Sequence, residues 1–297
     1  MIGPYATLQA FRSALDTRLR NAAESSGSDL QRLRRGVAFE RLLARLFWED
    51  DPPWLLKGGY ALELRLEDRA RSTLDLDVSV PDPNHLSLSD ATGETASQMP
   101  MVYACLQQAA GRDLGDGFEF LISGPKEDPI GAPCGGVRCS VTARVANRTF
   151  VQFHLDVGLG DPVLEPPEWI DGGTLLSFAG IPPARIAVYP LSQQFAEKVH
   201  AYTLPRQDHA NTRVKDLVDL VLLLYMEVLD LEQVSEALRA TFKTRSTHPL
   251  PARLPKPPPA WSEPFAALAS ELRLPVLTLL EAYDYLEGYW QALGLAA

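Results

Sequence analysis

The chain has 297 residues, of which 46% are hydrophobic and 22% charged, and its formal net charge is −10. This composition indicates a folded protein with a substantial core, and the negative charge argues against broad, non-specific binding of nucleic acid. No run of about 18 apolar residues predicts a membrane span. The N-terminus lacks the features of a signal peptide, so we expect a cytoplasmic protein. Three cysteines, an odd number, are expected to be reduced thiols.

Two amphipathic helices are predicted between residues 6 and 48, where apolar residues recur at helical spacing. A Gly-Ser-Asp break separates them, and either Ser28 or Asp29 is a suitable N-cap for the second helix. Residues 1–45 hold eight arginines against four acids, and a second basic strip runs over residues 239–256. Each strip either holds a polyanion at one place or is solvated surface.

A strand is predicted over residues 73–80, after a short apolar piece, a Gly-Gly pair and a short helix. Alternation places Asp75 and Asp77 on one face of this strand, and Leu74 on the opposite face, toward a core. The two carboxylates then lie roughly 6 to 7 Å apart, where they repel unless water or a cation screens them. The pair is therefore either a solvated strand face or a hard oxygen site for Mg²⁺.

The Gly-Gly pair is Gly58-Gly59, at the start of the short helix. Paired glycines let backbone N–H groups approach an anion, and a helix N-terminus adds partial positive charge. A tight turn explains the same pair equally well.

A polar loop is predicted over residues 81–98, followed by a helix and three strand candidates. The last two strands form a hairpin across residues 137–161, with its turn at Asn147. Alternation places Asp156 on the polar face of the second hairpin strand, which can lie beside the first aspartate strand. Asp156 is then either a third carboxylate of a two-metal phosphoryl-transfer site or a polar residue on a solvated face.

After a proline-rich connection near residues 162–190, the chain turns helical. One helix carries Lys198, and the next carries Asp216 and Asp219, with Lys215 four residues before Asp219. These charges are either surface ion pairs or a lysine for nucleotide phosphates, held in place by acids of the neighbouring helix. A proline-rich arm and one or two further helices complete the chain.

The order of elements predicts an α+β protein in which N-terminal helices precede a small mixed β-sheet and a helical C-terminal half follows it. The expected domains are residues 1–165, which bear the sheet, and residues 166–297, which are mainly helical.

Four stretches occur in an order that resembles a known family: LKGGYALELRL, TLDLDVSV, FAEKVHAY and RVKDLVDL. On these motifs the chain resembles the nucleotidyltransferases of the DNA polymerase β superfamily and, more narrowly, the AbiEii/AbiGii toxin family, which includes the MenT-type mycobacterial toxins. The resemblance spans most of the chain, and it implies a nucleotidyltransferase core in the first domain and a separate antitoxin as partner. One departure is Tyr60, where related sequences often have a small hydroxyl residue.

The resemblance implies that the tandem aspartates hold Mg²⁺ and that the lysine helix binds the triphosphate of an NTP. Together with the strand patterns, it gives three sets of predicted site residues. The catalytic set is Asp75, Asp77, Lys198, Asp216 and Asp219. The nucleotide-binding set is Lys57, Gly58, Gly59, Arg71, Lys198, Arg213 and Lys215. The metal-binding set is Asp75, Asp77 and Asp156.

The implied reaction moves a nucleoside monophosphate from an NTP to an acceptor hydroxyl and releases pyrophosphate. The expected acceptor is the 3′ end of tRNA, which the arginine-rich helices and the strip at 239–256 are candidates to hold. Alternatives stay open: transfer to a protein or a small molecule, a non-catalytic binding module, or a phosphotransferase or nuclease of the same fold.

Overall fold

The computed structural model describes residues 2–86, 98–127, 132–205, 213–226 and 229–295. The chain divides into two compact units. Unit 1 consists of Met1–Leu64, Ser72–Asp161 and Pro167–Val188, and unit 2 consists of Arg65–Arg71, Pro162–Pro166 and Tyr189–Ala297. The sequence-based boundary after residue 165, which falls inside one short segment of unit 2, stays a prediction.

Unit 1 is built on a seven-stranded sheet within the described residues, in the order β3-β4-β5-β2-β1-β7-β6. The pair β2 and β5 runs parallel, as does the pair β1 and β7, whereas the other neighbours are antiparallel, so the sheet is mixed. This confirms the predicted fold class. The strands are β1 Leu55–Lys57, β2 Asp75–Val80, β3 Phe118–Glu127, β4 Gly136–Val145, β5 Arg148–Leu159, β6 Glu168–Asp171 and β7 Arg185–Val188.

Helices of unit 1 cover the apolar face of this sheet. They are α1 Leu8–Ser26, α2 Leu30–Leu46, α3 Gly58–Leu66 and α4 Gln98–Ala110. Phe39 of α2 packs edge-on against Phe153 of β5, with ring centroids 4.7 Å apart, and against Tyr60 of α3 at 5.0 Å. Leu76 and Val78 of β2 are fully buried on the same face. The opposite face of β2 is therefore left for polar side chains.

Helix α2 begins at an Asp29 N-cap, whose carboxylate accepts hydrogen bonds from the backbone N–H groups of Gln31 and Arg32. Gly27 ends α1 in the left-handed conformation, with φ of 70°. This glycine is what allows the chain to turn sharply between the two helices, because L side chains rarely adopt that conformation.

The arginines of α2 form ion pairs inside unit 1. Arg45 is fully buried and forms a bidentate ion pair with Asp116, both contacts being 2.8 Å, and Arg41 contacts the same carboxylate at 3.0 Å. Earlier in the helix, Arg32 pairs with Glu63 at 2.6 Å. The arginines of α2 thus serve ion pairs and hydrogen bonds within unit 1, whereas Arg18 and Arg20 of α1 are exposed.

Unit 2 is helical in its described residues after Tyr189. Tyr202 of α5 donates a hydrogen bond to the carbonyl of Pro255, and Tyr283 of α9 donates to the carbonyl of Leu254, which ties down the proline-rich arm. The helix α7 was not among the sequence-based predictions. The five helices are α5 Leu191–Thr203, α6 Val214–Met226, α7 Leu231–Arg245, α8 Ser262–Glu271 and α9 Leu279–Ala292.

The structure corrects two details of the sequence-based description. The region near 162–190, predicted as a proline-rich connection, contains β6 and β7, which join the sheet. These strands were not predicted because a strand of four residues is too short to show a clear alternation. Leu74 lies just before β2 and is 61% exposed, so it does not face the core. The predicted loop over 81–98 lies largely outside the described residues.

No helix in the described parts of the chain is both long and apolar enough to cross a membrane. The three cysteines are free thiols, of which Cys105 and Cys139 are buried and Cys134 is exposed. The expectation of reduced thiols agrees with this arrangement.

Candidate active site

The tandem aspartates lie on one face of β2, as the alternation predicts. Both carboxylates are partly exposed, and between them Leu76 turns into the core. Asp75 faces His154 of β5, whose Nδ1 lies 3.4 Å from an Asp75 oxygen. The polar face of β2 is therefore continuous with the polar face of the neighbouring strand.

From β1 to β4, strand register brings four charged residues into one row, and Lys126 of β3 continues the register beyond Arg138. Lys57 of β1 is opposite Asp77 of β2, Asp77 is opposite Asp156 of β5, and Asp156 is opposite Arg138 of β4. Residues in register share a face, so the row reads cation, acid, acid, cation. The two central acids are neighbours across a parallel pair, about 4.8 Å apart by strand spacing.

Arg138 and Asp156 form a bidentate ion pair at the outer end of this row. Arg138 donates from Nε to Oδ1 of Asp156 at 2.7 Å and from Nη2 to Oδ2 at 2.6 Å. The Asp156 side chain is 6% exposed and that of Arg138 is 41% exposed. Both oxygens of the predicted third metal ligand are thus engaged by a guanidinium, and its metal-binding role stays a prediction.

Lys57 stands at the other end of the row in a buried network. Its ammonium contacts Asp161, and the hydroxyl of Ser79 donates a hydrogen bond to the same carboxylate at 3.0 Å. Asp161 and Ser79 are almost completely buried, and Lys57 is 8% exposed. Of these three residues, only Lys57 was predicted as part of the site. Ser79 lies in the TLDLDVSV motif but was not singled out, and Asp161 lies outside the four motifs.

Gly58 links β1 to α3 in the left-handed conformation, with φ of 70°. A Cβ at this position would lie 2.1 Å from Oδ2 of Asp77, so the backbone packs directly against that carboxylate. Gly59 follows inside α3 and is buried. Only a residue without a side chain fits the position of Gly58. The close approach of the backbone to Asp77 therefore explains the first glycine of the Gly-Gly pair.

On the prediction that Asp77 is catalytic, replacing Gly58 with alanine should damage both stability and activity. We expect a loss of about 1 to 3 kcal/mol from the positive φ and the clash, and a larger loss of activity because Asp77 is displaced. Urea unfolding and initial rates of the predicted nucleotidyl transfer measure the two effects. Gly180→Ala is the matched control, because Gly180 has φ of 71° and a Cβ at that position would meet no atom within 4 Å. Equal activity losses in both variants would contradict a special role for Gly58.

Unit 2 contains a second charged cluster, centred on Asp219 of α6. Lys198 of α5 contacts this carboxylate at 2.6 Å, and Arg71 grips it with two contacts of 2.9 and 2.8 Å. Asp219 is completely buried and Lys198 is 8% exposed. The structure thus brings together the lysine of one motif, the aspartate of another, and an arginine that lies between the first two motifs.

The pKa values of this cluster keep it charged. Burial alone would raise the pKa of Asp219, but Lys198 and Arg71 outweigh it, and the pKa lies below its usual range. Burial would lower the pKa of Lys198, but Asp219 and Asp216 outweigh it, and that pKa is raised. Both groups are therefore ionised at neutral pH.

Asp216 and its neighbours occupy the more open side of the cluster. Asp216 lies 3.6 Å from the ammonium of Lys198 and 3.6 Å from Arg213, whose side chain is 47% exposed. Lys215 is exposed, and the predicted pair between Lys215 and Asp219 is wrong because Asp219 turns into the helical core. Asp219 is thus the deeper of the two aspartates of this motif.

Tyr60, the departure from the family pattern, has a structural role. Its side chain is 4% exposed, and its hydroxyl donates a hydrogen bond to the carbonyl of Gly36 in α2. Burial, with the charges of Glu40 and Glu63, raises the pKa of this phenol well above its usual range. Tyr60 therefore packs α3 onto α2.

No group of three or more histidine, cysteine, aspartate or glutamate side chains is placed to hold a metal ion among the residues that the structure describes. The tandem aspartates offer a smaller set of hard oxygen donors. Mg²⁺ is commonly bound by one or two carboxylates together with substrate phosphates and water. The donors on β2 therefore fit Mg²⁺ bound jointly with a nucleotide.

Comparison with solved structures identifies the class of fold. MenT4, a nucleotidyltransferase toxin from Mycobacterium tuberculosis H37Rv, superposes with a TM-score of 0.56 and 17% identity, covering 96% of this chain and 98% of that one. On this match the chain has the fold of a nucleotidyltransferase toxin. A candidate nucleotidyltransferase from H. pylori gives a TM-score of 0.43 and 15% identity, covering 88% and 96%.

The family follows from the sequence itself. The family model for the nucleotidyl transferase AbiEii toxin of type IV toxin–antitoxin systems matches residues 41–289. The chain belongs to the AbiEii family and is a nucleotidyltransferase, which confirms the resemblance carried by the four motifs. Family membership implies an NTP as substrate and an antitoxin as partner. No curated protein matches the chain.

Proposed function

We propose that this enzyme transfers a nucleoside monophosphate from an NTP to the 3′ end of a tRNA, in the presence of Mg²⁺, and so acts as a toxin in the cytoplasm. The observation that supports this reaction best is the pair of partly exposed carboxylates on β2, with the backbone of Gly58 packed against one of them. Acids without such a neighbouring glycine turn would be equally consistent with a solvated strand.

Asp75 and Asp77 are the residues that would hold the metal, whereas both oxygens of Asp156, the predicted third carboxylate, are engaged by Arg138. When bound, Mg²⁺ supplies positive charge that stabilises the phosphoryl oxygens and the departing pyrophosphate. The cluster of unit 2 has a complementary role in this proposal. Lys198 binds phosphate oxygens as a point charge, and Asp219 fixes its position.

The other residues proposed to contact the nucleotide differ in their exposure and in their partners within the protein. The turn at Gly58-Gly59 offers backbone N–H groups near the start of α3. Arg213 and Lys215 are exposed at the start of α6. Arg71 is committed to Asp219, so we assign it a positioning role beside its predicted one.

The acceptor is proposed to be held through a small number of local contacts. The arginines of α2 are consumed by ion pairs inside unit 1, which removes most of that helix as an RNA-binding surface. In unit 2, the exposed cations of the strip at 239–256 are Arg239, Lys243, Arg253 and Lys256. A single-stranded 3′ end needs few backbone contacts, which suits a protein of negative net charge.

Labelled nucleotides test this proposal. We expect protein, Mg²⁺ and total tRNA to incorporate ³²P from one or more α-labelled NTPs and none from the γ-labelled ones, with label at the tRNA 3′ end. Chelation with EDTA should abolish incorporation. Label in a protein or small-molecule fraction would identify a different acceptor. Label from a γ-labelled NTP in any product would indicate a phosphotransferase. No label in any fraction would contradict the proposal.

A further inference from the structure

The row of charged residues across the sheet has two distinct ends. Gly58 and Lys57 lie at the β1 end, where the glycine turn packs against Asp77. Arg138 lies on β4, two strands beyond β2, or about 10 Å from the strand of the tandem aspartates by strand spacing. If the triphosphate lies at the glycine turn, as proposed above, Arg138 is on the opposite side of the acids.

Charge along the row explains why an acceptor needs a cation at this end. From β1 to β4 the row holds two acids and two cations, but Lys57 is already committed to Asp161. Lys126 of β3 is in register with Arg138 on its far side. Without Arg138, a nucleic acid that approaches from the β4 end would meet Asp156 and Asp77 directly, and like charges repel. Arg138 cancels the charge of Asp156 and presents its guanidinium at that end of the polar face.

The different exposures of Asp156 and Arg138 indicate that Asp156 holds Arg138 in position and that Arg138 is the residue available to a substrate. Asp156 is nearly buried, whereas the Arg138 side chain is 41% exposed at the open face. A buried carboxylate that grips a guanidinium in two places fixes its plane, which is what phosphate recognition requires. An arginine whose main role is to stabilise the core would be buried like Arg45, which is fully buried with its own aspartate.

We propose that Arg138, held by Asp156, binds the phosphate backbone of the acceptor next to its reacting 3′ end. This inference rests on the proposed function and specifies its acceptor side. It gives Asp156 the role of a positioning residue for Arg138, in place of its predicted role as a metal ligand. The chemistry recognised is a nucleic-acid phosphodiester, and Arg138 contacts substrate through its guanidinium.

The experiment compares Arg138→Ala, Arg138→Lys, Asp156→Asn and the control Arg144→Ala. Arg144 lies on the same face of β4 and donates a hydrogen bond to the turn carbonyl of Asn147. Steady-state rates give KM for tRNA and for NTP separately, and electron paramagnetic resonance gives the affinity for Mn²⁺. Thermal unfolding shows which variants are folded.

We expect Arg138→Ala to raise KM for tRNA about tenfold or more while KM for NTP changes less than about twofold, since one charge-assisted phosphate contact is lost. Arg138→Lys should raise KM for tRNA less than Arg138→Ala does, because lysine keeps the charge and loses the bidentate geometry. Asp156→Asn should raise KM for tRNA similarly and leave Mn²⁺ affinity unchanged. Arg144→Ala should behave as wild type.

Two results would overturn the inference. One is an unchanged KM for tRNA in both Arg138 variants of an enzyme that labels tRNA normally. The other is a large loss of Mn²⁺ affinity in Asp156→Asn, which would make that residue a metal ligand. If the wild type labels no tRNA at all, the proposed function fails and this inference fails with it, so the two failures are distinguishable.

Discussion

Asp77→Asn should reduce nucleotidyl transfer by about a thousandfold or more. The substitution keeps the size of the side chain next to Gly58 and removes one negative charge from the pair that is proposed to hold Mg²⁺. A metal ion supplies several kcal/mol of charge stabilisation, and about 4 kcal/mol corresponds to three orders of magnitude in rate. Asp75→Asn should act in the same direction. Initial rates with the preferred α-³²P-NTP and tRNA measure the loss.

Stability should not fall together with this activity. Asp77 lies in register between Lys57 and Asp156, so neutralising Asp77 removes one attraction and one repulsion from the free protein, and the net change should be small. The matched control is Asp171→Asn, the same chemical change on exposed strand β6 of unit 1, which should leave the rate unchanged. Full activity in Asp77→Asn, or equal loss in the control, would remove the tandem aspartates from the reaction.

Asp219→Ala should destabilise the protein by about 3 to 5 kcal/mol, the typical cost of removing one partner from a buried ion pair. Its carboxylate is fully buried and balances both Lys198 and Arg71. Without it, both cations would lose this counter-charge, and Lys198 would keep Asp216 at 3.6 Å. Urea unfolding at neutral pH measures the change. Glu236→Ala, an exposed acid of α7, should change stability by less than about 0.5 kcal/mol.

The two aspartates of this motif should differ in that experiment. Asp216 lies 3.6 Å from Lys198 and begins α6, where negative charge is also favourable. Its removal leaves Asp219 in place as the main counter-ion, so Asp216→Ala should cost less stability than Asp219→Ala. A larger cost for Asp216→Ala would show that the centre of the cluster has been misassigned.

The pH dependence of stability has a definite sign for this cluster. The folded-state pKa of Asp219 is lowered, so its contribution is present above the usual pKa and is lost as pH falls toward the lowered value. The pKa of Lys198 is raised, so its contribution is present below the usual lysine pKa and is lost only in stronger base. Wild type should therefore lose more stability than Asp219→Asn on acidification.

Local sequence was enough to predict the strand face with Asp75 and Asp77, because alternation is a property of a single strand. It was also enough for the lysine helix and the aspartate helix, whose apolar faces recur at helical spacing. The hairpin was predicted from its turn, where Ala146 and Asn147 both have positive φ.

What the sequence could not supply were the partners of these residues. Strand order decides that Asp77 meets Asp156 and that Arg138 meets Asp156, and a periodic pattern contains no information on which strands are neighbours. For the same reason the arginines of α2 were predicted as a basic surface, whereas Arg41 and Arg45 are buried around Asp116. The ion pair between Arg71 and Asp219 likewise joins residues that are far apart in the sequence, so it could not be predicted.

The parallel pairing of β2 with β5 has a consequence for synthesis of this toxin. The ribosome delivers β2 long before β5, and β5 completes the polar face only when it arrives beside β2. Until the hairpin β4–β5 has emerged, a nascent chain carries its tandem acids without their neighbouring strand. An incomplete translation product that stops before β5 is therefore expected to be harmless to the cell that makes it.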